Sequence, residues 1–323
     1  MTIAPPSGRE DYQGLDSYYE DEIVPFLQSQ ETRRRSAVMH SGVVFVFTVA
    51  VAIAVYVLGP LGEANLHIAF IIGALGLSFA VATLTKARSN ITAGLLKRVC
   101  GFLGFTYRRE PSRPSFASEL DRLRLLPSYN RQSWEDEVIG LRHGADFVLC
   151  EAHLKKVTRG KRKRVRTVFH GQLLLIDYHK QFFGETVIKR DAGVFNRLMK
   201  PGKEFQNVGL VSSRFEKAFE AWSTDQVEAR ELLDPLVLER FEELERLFDG
   251  ARFRAAFSKG KLYVVLETGD KLNMGSMFNS LERSDRVEAI LKEFDLIFDL
   301  IDVLLKRIDG PLDAAVSVDA LRA

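Results

Sequence analysis

The residues best suited to chemistry form a basic cluster near the middle of the chain, where eight of the twelve residues from 155 to 166 are basic. Gly160 marks the tip of a hairpin between two predicted strands. Near anionic lipid, each basic residue close to the surface contributes about 1 kcal/mol to binding. We therefore predict that this cluster contacts anionic lipid or a protein partner. Its members are Lys155, Lys156, Arg159, Lys161, Arg162, Lys163, Arg164 and Arg166.

Three other interpretations of the basic cluster compete with lipid contact. In the first, the cluster is an ordinary solvated loop. In the second, it forms ion pairs with the segment 216–249, which contains eleven acidic and four basic residues. Nucleic-acid binding is disfavoured because no aromatic residues alternate with the basic ones to stack on bases. The net charge of +2 also provides no global attraction to nucleic acid. We therefore predict no nucleic-acid partner.

Histidines and one cysteine of the C-terminal two thirds are the other candidates for chemistry. Their spacing matches no standard zinc pattern, and strand alternation directs Cys150 inward and His153 outward. The chain contains no G-x-S-x-G, H-E-x-x-H, P-loop or dinucleotide motif. We predict no catalytic, cofactor-binding or metal-binding residues and no cofactor. The metal candidates weighed are His143, His153, His170, His179 and Cys150.

Two long segments near the N-terminus contain no charged residue. Ala37–Leu58 contains 22 residues and Leu66–Leu84 contains 19, and roughly 20 apolar residues cross a hydrocarbon core. The intervening Gly59–Asn65 has the composition of a turn, so the two spans run antiparallel. The sequence therefore predicts a transmembrane hairpin over 37–86, embedded in the lipid bilayer.

The charges around the hairpin predict its orientation. Arg33–Arg35 precede the first span, and Lys86, Arg88, Lys97 and Arg98 follow the second. Segments rich in arginine and lysine remain on the cytoplasmic side of a membrane. We therefore predict a protein of the inner (cytoplasmic) membrane with both termini in the cytoplasm. Cys100 and Cys150 form no disulfide framework, in agreement with a reducing compartment. Small residues at four-residue spacing predict close helix packing, either within one hairpin or between chains as a homo-oligomer: Ala50, Ala54, Ala74, Ser78 and Ala82.

The segments beside the hairpin have helical periodicity. Residues 1–36 form a partly helical cytoplasmic segment, in which Pro25 kinks or restarts the helix. In the juxtamembrane segment 87–115, an apolar stripe from Ile91 to Leu103 predicts either an interfacial amphipathic helix or packing on the soluble domain. For Cys100 we predict an ordinary buried thiol and not a palmitoylation site.

Residues 116–309 have the pattern of an α+β domain with a mostly antiparallel sheet and packed helices. Strands are predicted at 148–155, 165–176, 186–188 and 208–211, and a hairpin surrounds Ser258–Gly260. The first strand should have a wet face that contains Glu151, His153 and Lys155. Residues 310–323 form a flexible tail. The fold resembles a pleckstrin-homology roll with a helical insert.

Helical patterns separate the strands of this domain. Phe215 and Phe219 lie on a predicted short helix, and Asp225 with Glu228 forms a start similar to a capping box. A catalytic interpretation, with Glu228 as an acid and Arg230 as an anion clamp, is much less favoured than a structural one in which the two residues cap a helix and form a surface ion pair. Asp234 before Pro235 predicts another helix start. A stripe from Val287 to Ile308 predicts a long helix that covers the sheet in preference to forming a coiled coil.

Two stretches resemble a bacterial family, domain of unknown function 3137 (DUF3137). They are FHGQLLLIDYHKQFFGETVIK from Phe169 and RFEKAFEAWSTDQVEARELLDP from Arg214. The most specific parts are the Phe-x-Gly strand at Phe169 and Gly171 and the helix start at Asp225–Arg230. The resemblance implies a bacterial two-span membrane protein and assigns no activity or catalytic residue.

These observations predict a membrane-anchored interaction module that binds a protein partner or the inner membrane surface. The alternative is an enzyme of unrecognised type acting on a lipid or membrane-bound substrate. A deep pocket with converging polar groups would favour the enzyme, and a flat or basic surface would favour the module.

Overall fold

A computed structural model of the chain describes residues 3, 5, 7–60, 62–158, 163–177, 182–190, 201–210, 213–247, 251–267 and 284–308. The chain divides into two compact units. The first contains Met1–Phe102 and Asn273–Ala289, and the second contains Leu103–Leu272 and Ile290–Ala323.

Helices make up the described N-terminal part of the first unit. A 3-10 turn at Glu10–Tyr12 and helix α1 (Leu15–Tyr18) lead through a π-helical turn, Tyr19–Ile23, into α2 (Val24–Leu58). The wide π turn stands where the ring of Pro25 would meet the carbonyl four residues earlier, so the helix continues past the proline. Helix α3 is Ala64–Phe102. The helical stretches Glu10–Leu58 and Ala64–Phe102 are long and apolar enough to cross a membrane.

Small and polar residues form the contact between α2 and α3. A Cβ atom on Gly76 would overlap the Thr48 side chain, and Ser41 donates to the carbonyl of Ala80 over 3.3 Å. Asn65 closes the turn by donating to the carbonyl of Gly59 over 2.7 Å. The small residues singled out in the sequence are exposed instead, so their packing within one hairpin is excluded. These are Ala50, Ala54, Ala74, Ser78 and Ala82.

Helix α3 continues without a break from the second apolar segment into the juxtamembrane stripe. Ile91, Leu95 and Val99 are buried, Phe26 lies against Gly94, and the Tyr18 and Phe102 rings are 5.1 Å apart. This burial favours packing in protein over an interfacial helix, and the N-terminal helical segment provides the contacts. Cys100 is a buried free thiol, as predicted.

An antiparallel sheet forms the centre of the second unit. Its order in the described residues is β1-β2-β3-β4-β9-β8-β5-β7-β6. The strands β1 to β9 are Thr106–Arg108, Arg131–Arg142, Ala145–Thr158, Arg164–Asp177, Thr186–Arg190, Gln206–Val208, Phe219–Ser223, Ala251–Ser258 and Lys261–Glu267. The predicted α+β class with an antiparallel sheet is confirmed, and the likeness to a pleckstrin-homology roll stays a prediction.

Both faces of the sheet are covered. On one face Cys150, Leu154 and Phe169 pack with Leu120 and other residues around α4, Ala117–Arg122. On the other face the Phe147 ring lies 5.0 Å from that of Phe105, which also contacts the rings of the long C-terminal helix. The predicted wet face of β3 is therefore wrong at Glu151, which is 4% exposed.

The helices of the C-terminal region are α5 (Ser213–Ala218), α6 (Gln226–Leu232), α7 (Pro235–Leu247) and α8 (Asp285–Ile308). Asp225 caps α6 by accepting from the amides of Val227 and Glu228, which confirms the predicted helix start. The predicted helix through Phe219 is wrong, because Phe219 begins β7. The stripe of α8 is buried at Val287, Phe294 and Ile301, in agreement with core packing. The tail 310–323 lies outside the described residues.

Candidate anion-binding surface

The basic cluster lies at the end of the longest hairpin in the described sheet. Strands β3 and β4 pair Lys155 with Thr167, Lys156 with Arg166, and Thr158 with Arg164, after a bulge beyond Leu154. Lys155, Lys156, Lys163, Arg164 and Arg166 are therefore on or beside this hairpin. Arg159, Lys161 and Arg162 lie outside the described residues.

Strand alternation separates the hairpin cations between two faces. Lys156 follows Leu154 on the face that carries the core around α4, and its cross-strand partner is Arg166. Two like charges placed directly opposite destabilise a strand pair. An anion at this face would relieve that repulsion, which makes the Lys156 and Arg166 face the more attractive of the two.

The cations of the hairpin do not pair with the acidic segment 216–249 in the described part of the chain. Glu243 pairs with Arg240, and Glu245 pairs with Arg190 over 3.4 Å. Among described residues, no salt bridge forms at Lys155, Lys156, Lys163, Arg164 or Arg166. These five charges are therefore compensated by water or by an external anion.

A cavity of about 620 Å³ opens at the base of the hairpin, on the Lys156 side. Lys156 Nζ donates to Ser128 Oγ over 2.6 Å, and Ser128 lines the cavity. Gln132 also lines it, directly across from Leu154 in the β2–β3 ladder. Among the described residues, the cavity is lined by Arg113, Asp121, Arg124, Leu126, Pro127, Ser128, Tyr129 and Gln132.

One wall of the cavity is a triangle of polar side chains. Arg113 Nη2 lies 2.9 Å from Asp121 Oδ2 and 3.3 Å from the Tyr129 hydroxyl, and that hydroxyl donates to the same carboxylate oxygen over 3.0 Å. Burial, followed by the nearby Asp121 charge, raises the pKa of Tyr129. Tyr129 therefore stays protonated near neutral pH and acts as a donor.

Buried cations hold the backbone beneath the cavity. Arg124 has a positive φ of 53°, and Lys189 Nζ donates to its carbonyl over 3.0 Å. Arg254 donates to the carbonyl of Leu125 over 2.5 Å and pairs with Glu267 at 3.1 Å. Burial, with the charges of Arg254 and Arg124, lowers the pKa of Lys189 to about 8. The backbone at the base of the cavity is thus fixed by donors from two buried cationic side chains.

The histidine candidates do not converge on one site. His153 and His170 stack with ring centroids 4.4 Å apart, while His143 lies 3.8 Å from Asp302 in another part of the unit. His179 lies outside the described residues. Cys150 is buried, which raises its pKa and disfavours the thiolate. No group of three or more possible metal ligands occurs among the described residues.

Two carboxylates that were predicted to be exposed or to cap a helix bind other groups. Glu151 Oε1 lies 3.0 Å from His170 Nε2, and Gln172 donates to Oε2 over 3.1 Å. Glu228 accepts from the amides of Phe183 and Gly184 over 2.8 and 2.7 Å, so it fastens a loop instead of completing a capping box. Arg230 is exposed, and it forms no ion pair with a described residue.

The cavity residues were missed by the sequence patterns. Arg113 lies in the segment 87–115 that was predicted as juxtamembrane, Arg124 lies near the end of a short helix predicted around Phe116 to Leu125, and Ser128 and Tyr129 lie on a segment without periodicity. The available signal was a stretch rich in arginine and hydroxyl groups between a short helix and a strand. That composition is common in loops, so only the fold reveals that the residues share a cavity.

Comparison with known proteins identifies one family. Residues 167–306 match the model of the family described as "Protein of unknown function (DUF3137)", which confirms the resemblance found in the sequence. Neither the curated proteins nor the solved structures contain a match to this chain.

Proposed function

We propose that this chain, whose residues 167–306 match the family of unknown function DUF3137, is a membrane-anchored interaction module of the bacterial inner membrane. Helices α2 and α3 cross the bilayer as a hairpin, and the sheet lies on the cytoplasmic side with both termini. The basic hairpin then binds anionic lipid of the inner leaflet. A second copy of the chain packs against the exposed small residues of the spans.

The helices support the membrane part of this proposal. Val46, Phe47 and Phe70 are 68%, 67% and 76% exposed, and such a continuous apolar surface is unfavourable in water. Three polar side chains at the α2–α3 contact, those of Ser41, Thr48 and Asn65, donate to backbone carbonyl groups. An α-helix satisfies its backbone hydrogen bonds within itself, and α-helices and closed β-barrels are the two structures that can span a bilayer. Arginines and lysines flank both apolar segments on one side, which supports the orientation.

The observation that carries the surface-binding part is the set of described hairpin cations without an ion-pair partner. Five positive charges remain uncompensated by described acidic groups, although acidic residues are nearly as numerous as basic ones in the whole chain. Attraction to an anionic surface strengthens when a tether keeps the charges close to it. An alternative protein partner with an acidic surface would use the same charges.

The enzyme alternative has weaker support. The cavity contains converging polar groups, but its carboxylate, Asp121, already accepts hydrogen bonds from Arg113 and Tyr129. A general base or nucleophile needs a free lone pair directed at the substrate and a matching partner. Binding is the function that this lining supports best.

A local probe on the full chain tests the proposed lipid contact, because the spans would retain every variant in a membrane. We would introduce Thr158→Cys at the end of β3 and attach a polarity-sensitive dye. Cys100 and Cys150 are buried and should not react in the folded protein. In nanodiscs that contain phosphatidylglycerol, we expect the dye emission to shift to the blue relative to phosphatidylcholine discs.

A matched pair of triple variants provides the control. Lys155, Lys163 and Arg164 changed to Ser should lower the equilibrium constant for surface contact about a hundredfold, at about 1 kcal/mol per charge. The control changes Lys203, Arg230 and Arg246, which are exposed basic residues outside the hairpin, to Ser. The same emission in both lipids, or an equal response of the two triple variants, would contradict the proposal.

A further inference from the structure

We propose that the cavity at the base of the basic hairpin binds the phosphate group of a small phosphorylated ligand. The volume of about 620 Å³ lies within the range of roughly 300 to 1,000 Å³ that is usual for small-molecule sites. Inorganic phosphate alone would fill little of that space. A phosphate carried on a short polar skeleton fits the size of the cavity better.

The charges of the cavity select an anion. Arg113 and Arg124 line it, and Lys156 reaches its rim through the hydrogen bond to Ser128. Asp121 is the one carboxylate in the described lining, and it accepts from Arg113 and Tyr129. An incoming anion would therefore meet three cationic side chains and one carboxylate that is already hydrogen-bonded. Guanidinium groups bind phosphate oxygens through paired N–H donors.

The Arg113 guanidinium and the backbone of Arg124 are held in place before a ligand arrives. Asp121 fixes the Arg113 guanidinium at 2.9 Å and leaves other N–H groups of that side chain for a ligand. Lys189 holds the carbonyl of Arg124 from beneath, in a backbone conformation with a positive φ. A site that is ordered in advance loses less conformational entropy on binding.

The remaining lining fits the rest of the ligand. Ser128, Tyr129 and Gln132 provide neutral hydrogen-bonding groups, and Leu126 with Pro127 provides an apolar wall. This combination suits a polyol phosphate, in which hydroxyl groups and a carbon chain accompany the phosphate. Glycerol 3-phosphate represents that chemistry in solution as a phosphate monoester, and the headgroup of phosphatidylglycerol presents a glycerol phosphodiester at a membrane.

This inference deepens the proposed function, since a lipid headgroup in the cavity would make the surface contact specific. The phosphate chemistry is shared by two sources, a phospholipid headgroup and a soluble phosphorylated metabolite. The cavity lies within the second unit, so ligand binding in solution can be tested whether or not the hairpin touches lipid.

Calorimetric titration of the full chain in neutral detergent is the first arm of the test. We expect binding of glycerol 3-phosphate, weaker binding of inorganic phosphate and no binding of glycerol. Arg124→Asn removes one guanidinium while the new residue tolerates the positive φ, and Arg113→Gln removes the other. Each change should raise the Kd about tenfold or more, because a hydrogen bond to a charged group contributes roughly 1.5 to 3 kcal/mol.

The matched control is Arg230→Gln, which removes an exposed arginine outside the cavity and should leave the Kd unchanged. Thermal unfolding of each variant, followed by the fluorescence of Trp134 and Trp222, confirms that the second unit is folded. The proposal is overturned if glycerol 3-phosphate binds no better than glycerol, or if both folded cavity variants bind it as the unchanged chain does.

The second arm distinguishes the two sources in nanodiscs. If the lipid headgroup occupies the cavity, phosphatidylglycerol should raise the apparent Kd for glycerol 3-phosphate relative to phosphatidylcholine. An equal Kd in the two lipids identifies the soluble ligand as the occupant, and either result supports a phosphate site. Failure of the dye at position 158 to respond to lipid contradicts the surface contact alone, whereas failure of the titration in detergent contradicts the cavity alone.

Discussion

The α2–α3 hairpin and the antiparallel sheet, which has nine strands in the described residues, place their apolar residues in opposite ways. On the helices the large apolar side chains are outside, as at Val46, Phe47 and Phe70, and small or polar residues such as Thr48 and Gly76 form the contact. In the sheet unit Phe147 and Phe169 are fully buried. If the helices cross a membrane as proposed, the same preference for apolar surroundings is satisfied by lipid around the helices and by the protein core in the sheet unit.

Removal of one aromatic ring from each region should give the largest difference in the stability of the sheet unit. Phe169→Ala should destabilise the sheet unit by about 3 to 5 kcal/mol, because it leaves a cavity in a buried core. Phe47→Ala should leave the unfolding of the sheet unit unchanged, since that ring is 67% exposed on a helix. Denaturant unfolding of the full chain, followed by Trp134 and Trp222 fluorescence, measures both effects. Equal shifts would break the comparison.

A charge at two equally exposed valines tests which solvent each region meets. Val46 is 68% exposed on α2 and Val227 is 70% exposed on α6. Val46→Arg should cost about 2.5 to 3.5 kcal/mol of membrane insertion, while Val227→Arg should change stability by less than about 0.5 kcal/mol. The share of the chain recovered in carbonate-washed membranes gives the readout. If Val46→Arg were as well tolerated as Val227→Arg, α2 would not face lipid.

Two glycines on α3 sharpen the comparison within the hairpin. A methyl group on Gly76 would overlap Thr48, whereas one on Gly73 would meet open space. Gly76→Ala should therefore weaken the helix contact by about 1 to 3 kcal/mol, and Gly73→Ala should not. Hydrogen exchange of peptides from residues 41–84, in nanodiscs, should be faster for the first variant. Equal exchange would show that the helices do not pack through this face.

The smallest expected effect is a pH dependence of the sheet unit. Burial, followed by the neighbouring charges of His170 and Lys155, lowers the pKa of His153 below 6.5. Above pH 6.5 the ring is neutral in both the folded and unfolded states. As the pH falls from 6.5 toward the folded pKa, the unfolded state takes up more protons, so stability decreases. His153→Gln should flatten the dependence of the melting temperature on pH in that window, and an unchanged slope would rule out this cause.

Local patterns predict the helices and turns that depend on nearby residues. The apolar segments, the buried stripe of α8, the cap at Asp225 and the β8–β9 turn could be predicted in this way. In that turn Lys259 and Gly260 both have positive φ, as a two-residue hairpin loop requires. These features need only the spacing and type of residues within one element.

Features that depend on distant residues could not be predicted. The alternation of β2 is interrupted by a bulge between Glu135 and Val138, with Asp136 at a positive φ, so the strand pattern is hidden. The cost of burying Glu151 is offset by its contacts with His170 and Gln172 of the next strand, which the sequence pattern of β3 alone does not reveal. The cavity brings Arg113, which follows β1, near Lys156 of β3, and the β1–β2 and β2–β3 ladders bring those parts of the chain together.

Labelling of single cysteines in intact spheroplasts tests the central claim most directly. Glu63→Cys lies in the turn between α2 and α3, and Thr158→Cys lies at the end of the basic hairpin. An impermeant maleimide should label position 63 in intact spheroplasts and position 158 only after the membrane is permeabilised. Label at position 158 before permeabilisation, or protection of position 63, would contradict a hairpin that crosses the bilayer and holds the sheet in the cytoplasm.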